Sequence, residues 1–312
     1  TTENGITYDS KTVTAKVTVT DDGHGKLTAV VDYSSDGTAN STTFTNTYNP
    51  AKVKAPVSAT KSFINKNTNT PMPLKGGEFV FALLNHEGDP VEKTTNDADG
   101  NIKFKDLEFE KAGTYQYTIY EHKAGQIENG ITYSNKTVEV TIEVTDDGHG
   151  ALKATVSYDN DERHFENTYK AANAKANLEV TKKLTGRELK ADEFEFTLTD
   201  QDGNVKETVK NDKDGNVKFS ELEFDKAGTY TYKIAEKAGT ATGIQYDTKT
   251  ITATVTVADN GKGVLEATVA YDGEKVFENT YTPAGATSVT LGAKKVLEGK
   301  TLEAGKYSFV LK

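Results

Sequence analysis

The segment KTITATVTVADN, residues 249–260, decides the fold, because β-branched and small residues alternate through it with a period of two. Such alternation is typical of a strand with one buried face. Residues 11–22 and 136–147 share the pattern, and each segment runs into a turn in which glycine and asparagine supply positive φ. No stretch has a convincing helical period. Many short strands separated by turns predict an all-β fold of immunoglobulin-like sandwich architecture.

The same pieces return along the chain in domain-sized units. NDADGNIKFKDLEFEKAGTYQYTI (96–119) matches NDKDGNVKFSELEFDKAGTYTYKI (211–234) almost position for position. A repeat of this size is a domain rather than a turn of a solenoid. The order of the pieces predicts four parts of a longer array: the C-terminal half of a truncated repeat (1–50), two complete repeats (51–170 and 171–283), and the N-terminal strands of another truncated repeat (284–312).

Composition excludes several classes of function. The chain of 312 residues has a net charge of −10 and no basic stripe, which argues against binding nucleic acid or an anionic membrane surface. No apolar run is long enough to span a bilayer, and no signal peptide opens the segment, so we expect no membrane insertion here. Cysteine is absent, which leaves the cellular compartment open.

A lysine breaks the apolar phase of the first strand of each repeat. In LEVTKKL (178–184) Lys182 shares a face with leucine and valine, whereas Lys183 points outward. VSATKSF (57–63) places Lys61 in the same phase. We predict that both lysines are buried, and Lys295 of the truncated last repeat is their equivalent.

A glutamate and an asparagine break the phase of two further strands. Glu236 follows the inward-facing Tyr232 and Ile234, and Glu121 is its counterpart. In the last strand the asparagine lies between two aromatic residues that share its face. The motifs are VFENTY (276–281), HFENTY (164–169) and TFTNTY (43–48), with Asn279, Asn167 and Asn46.

Three such groups in one core point to a specific reaction. Burial lowers the pKa of a lysine and raises that of a glutamate, so a neutral amine beside a neutral acid becomes accessible. The amine is a nucleophile and the asparagine carboxamide carbon is an electrophile. A protonated glutamate could polarise the carbonyl and pass a proton to the leaving nitrogen. The product would be a Lys–Asn amide, with loss of ammonia.

These motifs, in this order, resemble a known family. TKKLTGRELKADEFEFTL (181–198), AGTYTYKIAE (227–236) and VFENTY together are similar to the pilin-type isopeptide-containing domains of Gram-positive surface proteins. The resemblance covers both complete repeats and the two partial ones. It implies tandem sandwiches of the pilin and collagen-adhesin B type, each with a spontaneous bond between its first and last strands that a glutamate assists.

Carried over by position, the resemblance implies two complete sites. The segment after Lys61 is longer than the one after Lys182, which is the main departure from the pattern. The truncated repeats hold Asn46 and Lys295 without partners in this chain. The implied bonds join Lys61 to Asn167 with Glu121, and Lys182 to Asn279 with Glu236.

Other interpretations of the polar residues are weaker. The trio could instead be strand-end side chains that reach solvent, or a buried Lys–Glu ion pair capped by asparagine without covalent chemistry. NDADGN and NDKDGN resemble part of a calcium loop but lack the distal glutamate, so hairpin turns are favoured. The histidines of the DDGHG turns, His24 and His149, are replaced in the last copy by Lys262. We therefore predict no metal and no cofactor.

Together these features predict a structural stalk rather than an enzyme that turns over substrate. The chain would be part of an extracellular, cell-wall-anchored adhesin or fibre of a Gram-positive bacterium. Its partners would be neighbouring repeats and a host protein or glycan reached through domains outside residues 1–312. Two alternatives stay open: repeats that themselves bind a host protein or glycan, and a fragment of a pilin backbone.

Overall fold

In the computed structural model the chain is built almost entirely from short β-strands, which confirms the all-β prediction. The structure describes residues 1–35, 38–39, 42–285 and 287–312. The other five positions, 36, 37, 40, 41 and 286, belong to the predicted truncated repeats. The chain divides into two compact units: one of residues 1–176, 222–229 and 256–268, and one of residues 177–221, 230–255 and 269–312.

The first 50 residues form two small sheets. Strands β1, β2 and β6 make one sheet, and β3, β4 and β5 make the other. Their apolar residues, such as Val17, Val30 and Phe44, are exposed. The strands are β1 (Thr2–Glu3), β2 (Ile6–Thr7), β3 (Val13–Asp21), β4 (Leu27–Ser35), β5 (Thr38–Ala39) and β6 (Thr47–Tyr48).

Residues 51–170 form a sandwich of two main sheets. The strands are β7 (Val53–Ala55), β8 (Ser58–Asn65), β9 (Thr70–Pro71), β10 (Val80–Asn85), β11 (Pro90–Thr95), β12 (Asn101–Lys103), β13 (Leu107–Phe109), β14 (Gly113–Glu121), β15 (Ile127–Glu128), β16 (Ile131–Thr132), β17 (Thr137–Asp146), β18 (Leu152–Tyr158) and β19 (His164–Tyr169), with a 3-10 turn at Asp159–Asp161. One sheet has the order β11-β10-β14-β17-β18, and the other β12-β8-β19-β16-β15, with β9 on β8. The short pair β7–β13 is separate.

Residues 171–283 repeat the pattern. The strands are β20 (Ala174–Ala176), β21 (Glu179–Thr185), β22 (Glu195–Thr199), β23 (Val205–Lys210), β24 (Asn216–Lys218), β25 (Leu222–Phe224), β26 (Gly228–Glu236), β27 (Ile244–Gln245), β28 (Thr250–Asp259), β29 (Leu265–Tyr271) and β30 (Val276–Tyr281). One sheet has the order β24-β21-β30-β27, and β22 pairs with β23 and β26 in another. Among the described residues after Tyr281, none lies in a strand.

The first and last long strands of each sandwich are parallel neighbours. β8 pairs with β19, so that Lys61 lies opposite Phe165 and Phe63 opposite Asn167. β21 pairs with β30 in the same register, with Lys182 opposite Phe277. Parallel neighbours need a crossover connection, and here the other strands of the sandwich lie between the two in the sequence. This pairing places the lysine and the asparagine on one face, two residues apart along the sheet.

The core follows the predicted period of two. In β8 and its approach Val57, Ala59, Lys61 and Phe63 are all buried, whereas their neighbours are exposed or half-buried. The ring of Phe81 in the facing sheet packs on Phe165, with centroids 5.1 Å apart. Glu121, at the end of β14, is paired with Phe81 of β10. The carboxylate therefore enters the core from the sheet opposite the lysine and the asparagine.

Candidate cross-linking sites

The first site brings together the three residues predicted for residues 51–170. Lys61 Nζ donates to Glu121 Oε2 at 3.0 Å, and Asn167 Nδ2 donates to Glu121 Oε1 at 2.6 Å. Glu121 and Asn167 are fully buried, and the Lys61 side chain has no exposed surface. The two groups that would react thus share one carboxylate, one on each oxygen.

The second site has the same geometry. Lys182 Nζ donates to Glu236 Oε2 at 2.7 Å, and Asn279 Nδ2 donates to Glu236 Oε1 at 2.6 Å. The side chains of Lys182 and Glu236 have no exposed surface, and Asn279 is fully buried. Two independent copies of one arrangement show that the contacts follow from the fold rather than from one local accident of packing.

Aromatic rings enclose both lysines. Lys61 Nζ lies 4.7 Å from the centroid of the Phe79 ring, and Lys182 Nζ lies 4.6 Å from that of Phe194. A desolvated ammonium over a ring face is attracted by the ring quadrupole. Every buried side-chain N or O atom of the described residues nevertheless has a hydrogen-bond partner. The polar groups of both sites are buried and fully hydrogen-bonded, so the hydrogen bonds to the carboxylate offset much of the cost of burial.

Burial moves the pKa values of the first site toward each other. It lowers the pKa of Lys61 to about 8, although the neighbouring Glu121 carboxylate opposes the change. It raises the pKa of Glu121 against the influence of Lys61 and Asn167. In the second site burial lowers the pKa of Lys182, opposed by Glu236 and by Asp247. Each change favours the neutral amine that the proposed reaction requires.

A main-chain donor that sequence reasoning missed completes each site. The N–H of Ser134 donates to Asn167 Oδ1 at 2.7 Å and also reaches Glu121 Oε2 at 3.2 Å. The N–H of Asp247 donates to Asn279 Oδ1 at 2.8 Å. An N–H can only donate, so it holds the amide with its oxygen toward the main chain and its nitrogen toward the glutamate. The sequence predicts that glutamate polarises the carbonyl, whereas in the structure the carbonyl oxygen accepts a main-chain N–H and the amide nitrogen faces the glutamate.

The residues of the predicted truncated repeats are less enclosed. Asn46 is exposed, but its Oδ1 still accepts the N–H of Asp9 at 2.9 Å, as its equivalents do in the complete sites. Lys295 is exposed and lies 5.0 Å from the ring centroid of Tyr307. Within the part of the chain that the structure describes, neither contacts a glutamate as Lys61 and Asn167 contact Glu121.

The two acidic turns are closed by their own main chain. Asp97 Oδ1 accepts the N–H groups of Asp99 and Asn101, at 2.9 and 2.7 Å. Asp212 Oδ1 does the same with Asp214 and Asn216. These carboxylates stabilise hairpin turns. Within the described part of the chain no three potential metal ligands cluster, and no helix is long and apolar enough to cross a membrane.

Comparison with known proteins gives one family. The family model described as FctA, Spy0128-like isopeptide containing domain, matches residues 1–49, 57–170 and 178–282. No curated protein matches the chain.

Solved structures to which the chain is similar include two major pilins of Streptococcus pyogenes. The T-13 pilin is 20% identical, covering 73% of this chain and 97% of its own, with a TM-score of 0.29. A second major pilin is 15% identical, with 73% and 98% covered and a TM-score of 0.30. The pilus adhesin SpaC of Lactobacillus rhamnosus GG is 13% identical, with 91% and 42% covered and a TM-score of 0.24. Because the family model matches three consecutive stretches that span most of the sequence, the chain belongs to the FctA family of Spy0128-like isopeptide-containing domains.

Proposed function

We propose that each complete repeat forms one spontaneous Lys–Asn amide, and that the resulting self-locked sandwiches serve as a surface stalk. The bonds would join Lys61 to Asn167 and Lys182 to Asn279. One observation carries the proposal. In both sandwiches the lysine amine and the asparagine amide nitrogen are held on the two oxygens of a single buried carboxylate.

The chemistry balances within the trio. A proton moves from the Lys61 ammonium to the Glu121 carboxylate, which leaves a neutral amine and a neutral acid. The amine nitrogen attacks the Asn167 side-chain carbon and forms a tetrahedral intermediate with negative charge on oxygen. The amine gives up its second proton, the nitrogen of the amide takes up protons through Glu121, and the C–N bond breaks. The amide nitrogen takes both protons that the lysine lost and leaves as an ammonium ion, so one Lys–Asn amide results, the carboxylate returns to its starting form, and the chain has lost the mass of one ammonia.

The main-chain N–H of Ser134 has a defined role in this sequence. It lies 2.7 Å from Asn167 Oδ1, where negative charge develops in the intermediate. Preorganised donors at such a position stabilise the transition state, because they need no reorganisation when charge appears. The Asp247 N–H stands at the same place beside Asn279. Glu121 and Glu236 then serve the nitrogen side of the reaction, and the main chain serves the oxygen side.

A stalk follows from where the bonds lie. Each would join the first and last long strands, which are parallel neighbours and lead to the points where the chain enters and leaves the sandwich. Tension along the chain would pass through the amide and bypass most of the sheet. The family assignment supports a structural role at the surface of Gram-positive cells. The glutamates act once per molecule, so no external substrate is turned over.

Intact mass under denaturing conditions tests the proposal. We expect the chain to lack two ammonias relative to its sequence, and Glu121→Ala and Glu236→Ala to lack one each. Glu166→Ala and Glu278→Ala are matched controls, because these glutamates precede the same asparagines but are exposed. Both controls should still lack two. A parent mass equal to the unmodified sequence would reduce the trio to a buried polar cluster and favour repeats that bind a host molecule.

A further inference from the structure

The last tyrosine of the TFTNTY segment contacts a turn far along the chain. Tyr48 donates its hydroxyl to Asp146 Oδ1 at 2.7 Å, and the N–H of Gly150 donates to the Tyr48 oxygen at 3.3 Å. The main chain joins in, since the N–H of Ala51 donates to the Gly150 carbonyl at 2.8 Å. The contact thus connects the end of one strand motif, and the segment just after it, to an Asp-x-Gly-x-Gly turn at 146–150.

The same contact occurs again one repeat later. Tyr169 donates to Asp259 Oδ1 at 2.6 Å, and the N–H of Gly263 donates to the Tyr169 oxygen at 3.2 Å. The N–H of Ala172 donates to the Gly263 carbonyl at 2.8 Å. A hydroxyl that donates to a carboxylate at this distance forms a strong, charge-assisted hydrogen bond. All of these residues lie in the same compact unit.

Glycine is required on both sides of the contact. A Cβ on Gly263 would lie 2.5 Å from the main-chain nitrogen of Gly130, and one on Gly130 would lie 2.6 Å from Cα of Gly263. Gly150 and Gly5 meet in the same way, with 2.5 Å from a Gly150 Cβ to the Gly5 nitrogen. Close main-chain approach of this kind excludes any side chain. It explains the recurrence of Gly-Ile and Asp-x-Gly-x-Gly in each repeat.

The longer segment after Lys61 adds a second contact beside Tyr169. Asn67 Oδ1 accepts the N–H of Ala171 at 2.8 Å, and its Nδ2 donates to the carbonyls of Ala171 and Asp225 at 3.0 and 2.8 Å. One amide side chain therefore ties the segment after Tyr169 at both its N–H and its carbonyl. The insertion that distinguishes this repeat in sequence contributes to the same junction.

One turn and one tyrosine of this kind lack the contact among the described residues. At the Asp21–Gly25 turn, no atom of the described residues lies within 4 Å of where a Cβ on Gly23 or Gly25 would be. At the other end, Tyr281 is arranged as Tyr169 is, with the N–H of Thr282 donating to the Gly243 carbonyl at 2.8 Å. Among the described residues the Tyr281 hydroxyl has no hydrogen-bond partner. Among the described residues, neither Tyr281 nor the Asp21–Gly25 turn makes the contact seen at Tyr48 and Tyr169, and we call the free face of Tyr281 the open socket.

We propose that this contact is the joint between consecutive repeats: the tyrosine that ends one repeat receives the Asp-x-Gly-x-Gly turn of the next, and Tyr281 receives that turn from a further repeat. Tyr48 and Tyr169 both contact an Asp-x-Gly-x-Gly turn, so we expect Tyr281 to bind a turn of the same kind. The few hydrogen bonds suffice because the linker keeps the turn at high effective concentration. The joint is independent of the amide cross-links, and it limits bending of the stalk.

Spin-label distance measurements test the joint. The chain has no cysteine, so Ile127→Cys and Thr268→Cys, both at exposed positions of one unit, introduce unique label sites. We expect a narrow distance distribution in the otherwise unaltered chain. Gly263→Ala should broaden it several-fold through the steric clash, and Tyr169→Phe should broaden it through loss of the hydroxyl.

Two controls separate the joint from local strain. Gly25→Ala carries the same cost of a positive φ, +88° against +84° at Gly263, but meets no neighbour. Tyr281→Phe removes a hydroxyl that has no hydrogen-bond partner among the described residues. Both should leave the distribution narrow, and intact mass shows independently whether the cross-links still form. A narrow distribution in Gly263→Ala and Tyr169→Phe would overturn the proposal.

The open socket is tested by extending the chain. In a variant with residues 171–283 appended after Thr282, in place of 283–312, the added segment supplies a turn in the register that follows Tyr169. With labels placed across the new junction, at Gln245→Cys and at Thr268→Cys of the added copy, Tyr281→Phe should now broaden the distribution. If Tyr281→Phe leaves the distance distribution unchanged in this variant, Tyr281 does not bind this turn.

Discussion

At the scale of single residues, each site is a carboxylate shared between a cation and an amide. Glu121 accepts a hydrogen bond from Lys61 on one oxygen and from Asn167 on the other. Removing either partner would take a hydrogen bond from a buried carboxylate. An isolated pair of this kind adds little stability compared with apolar packing. Its presence in both sandwiches is explained if the pair is a reactant. The lowered pKa of Lys61 and the raised pKa of Glu121 agree with this interpretation, because both make it easier for the proton to move from the amine to the carboxylate.

The rate of bond formation should have a plateau in pH. In acid both Lys61 and Glu121 are protonated and the amine is no nucleophile. Above the lysine pKa of about 8 the pair loses its shared proton, and no acid serves the leaving nitrogen. The measurement starts from chains kept unfolded in urea before the bonds form, which are then refolded at each pH while ammonia loss is followed by mass. The reaction should be fastest between these limits. A rate still rising above about pH 9 would contradict the shared-proton scheme.

Removing the lysine alone should make stability depend on pH. In Lys61→Met the carboxyl of Glu121 keeps its buried place, where its pKa is raised by burial. The folded state then holds the proton more tightly than the unfolded state. Stability is therefore full below the ordinary glutamate pKa and is lost as pH rises through the folded value.

The matched variant is Lys61→Met with Glu121→Gln, which also lacks the bond but carries no titrating group. At pH 5 the two urea midpoints should be close, and near pH 8 the single variant should be less stable by about 3 kcal/mol. Parallel curves for the two variants across this pH range would show that Glu121 is not buried as a charge.

At the scale of elements, a glycine turn holds the lysine strand in place. The N–H of Lys61 donates to the carbonyl of Gly100 at 2.7 Å, and a Cβ on Gly100 would lie 2.3 Å from the Lys61 carbonyl oxygen. The second sandwich has the same approach, 2.2 Å from a Gly215 Cβ to the Lys182 carbonyl oxygen. The turn before β12 thus sets where β8 carries its lysine, and proximity of the reacting groups depends on that position.

Gly100→Ala should therefore slow bond formation in the first sandwich by about tenfold or more, because β8 must shift to accommodate the methyl group. Gly88→Ala is the control: it has nearly the same positive φ, +86° against +82°, in the same sandwich, but no neighbour within 4 Å. Ammonia loss on refolding is the measurement. Equal rates in the two variants would mean that backbone strain, and not the position of β8, limits the reaction.

At the scale of the whole molecule, the proposed cross-links would decide how the chain responds to force. Each amide would close a loop of roughly 100 residues, which by analogy with disulfides stabilises by about 4–5 kcal/mol. For a protein under tension outside a cell, resistance to unfolding matters more than equilibrium stability. An amide is also insensitive to reduction, which fits a chain without cysteine.

Single-molecule stretching should separate the locked from the unlocked molecule. In the parent chain neither sandwich should release length, since tension runs through the amides. Glu121→Ala should add one step of roughly 340 Å, from about 100 residues at 3.3–3.6 Å each. Glu236→Ala should add a similar step. Steps of this size in the parent would show that the bonds are absent or do not carry the force.

The sequence by itself determined the fold class and the phase of the three strands that carry the trio, and it predicted the trio. These properties are local: alternation with a period of two places Lys61, Glu121 and Asn167 on buried faces, whatever their partners are. The repeats strengthened the prediction, because one interpretation had to satisfy two complete copies.

Only the tertiary structure decided which atoms meet. The parallel pairing of β8 with β19 depends on the register of strands about 100 residues apart, which no local pattern encodes. The Ser134 and Asp247 donors are main-chain groups, and a main-chain N–H has no signature in sequence. The contact of Tyr169 with Asp259 likewise has no signature in the sequence, where Tyr169 is one more aromatic residue of a strand and Asp259 is part of a turn. Contacts between residues so far apart appear only when the chain is folded.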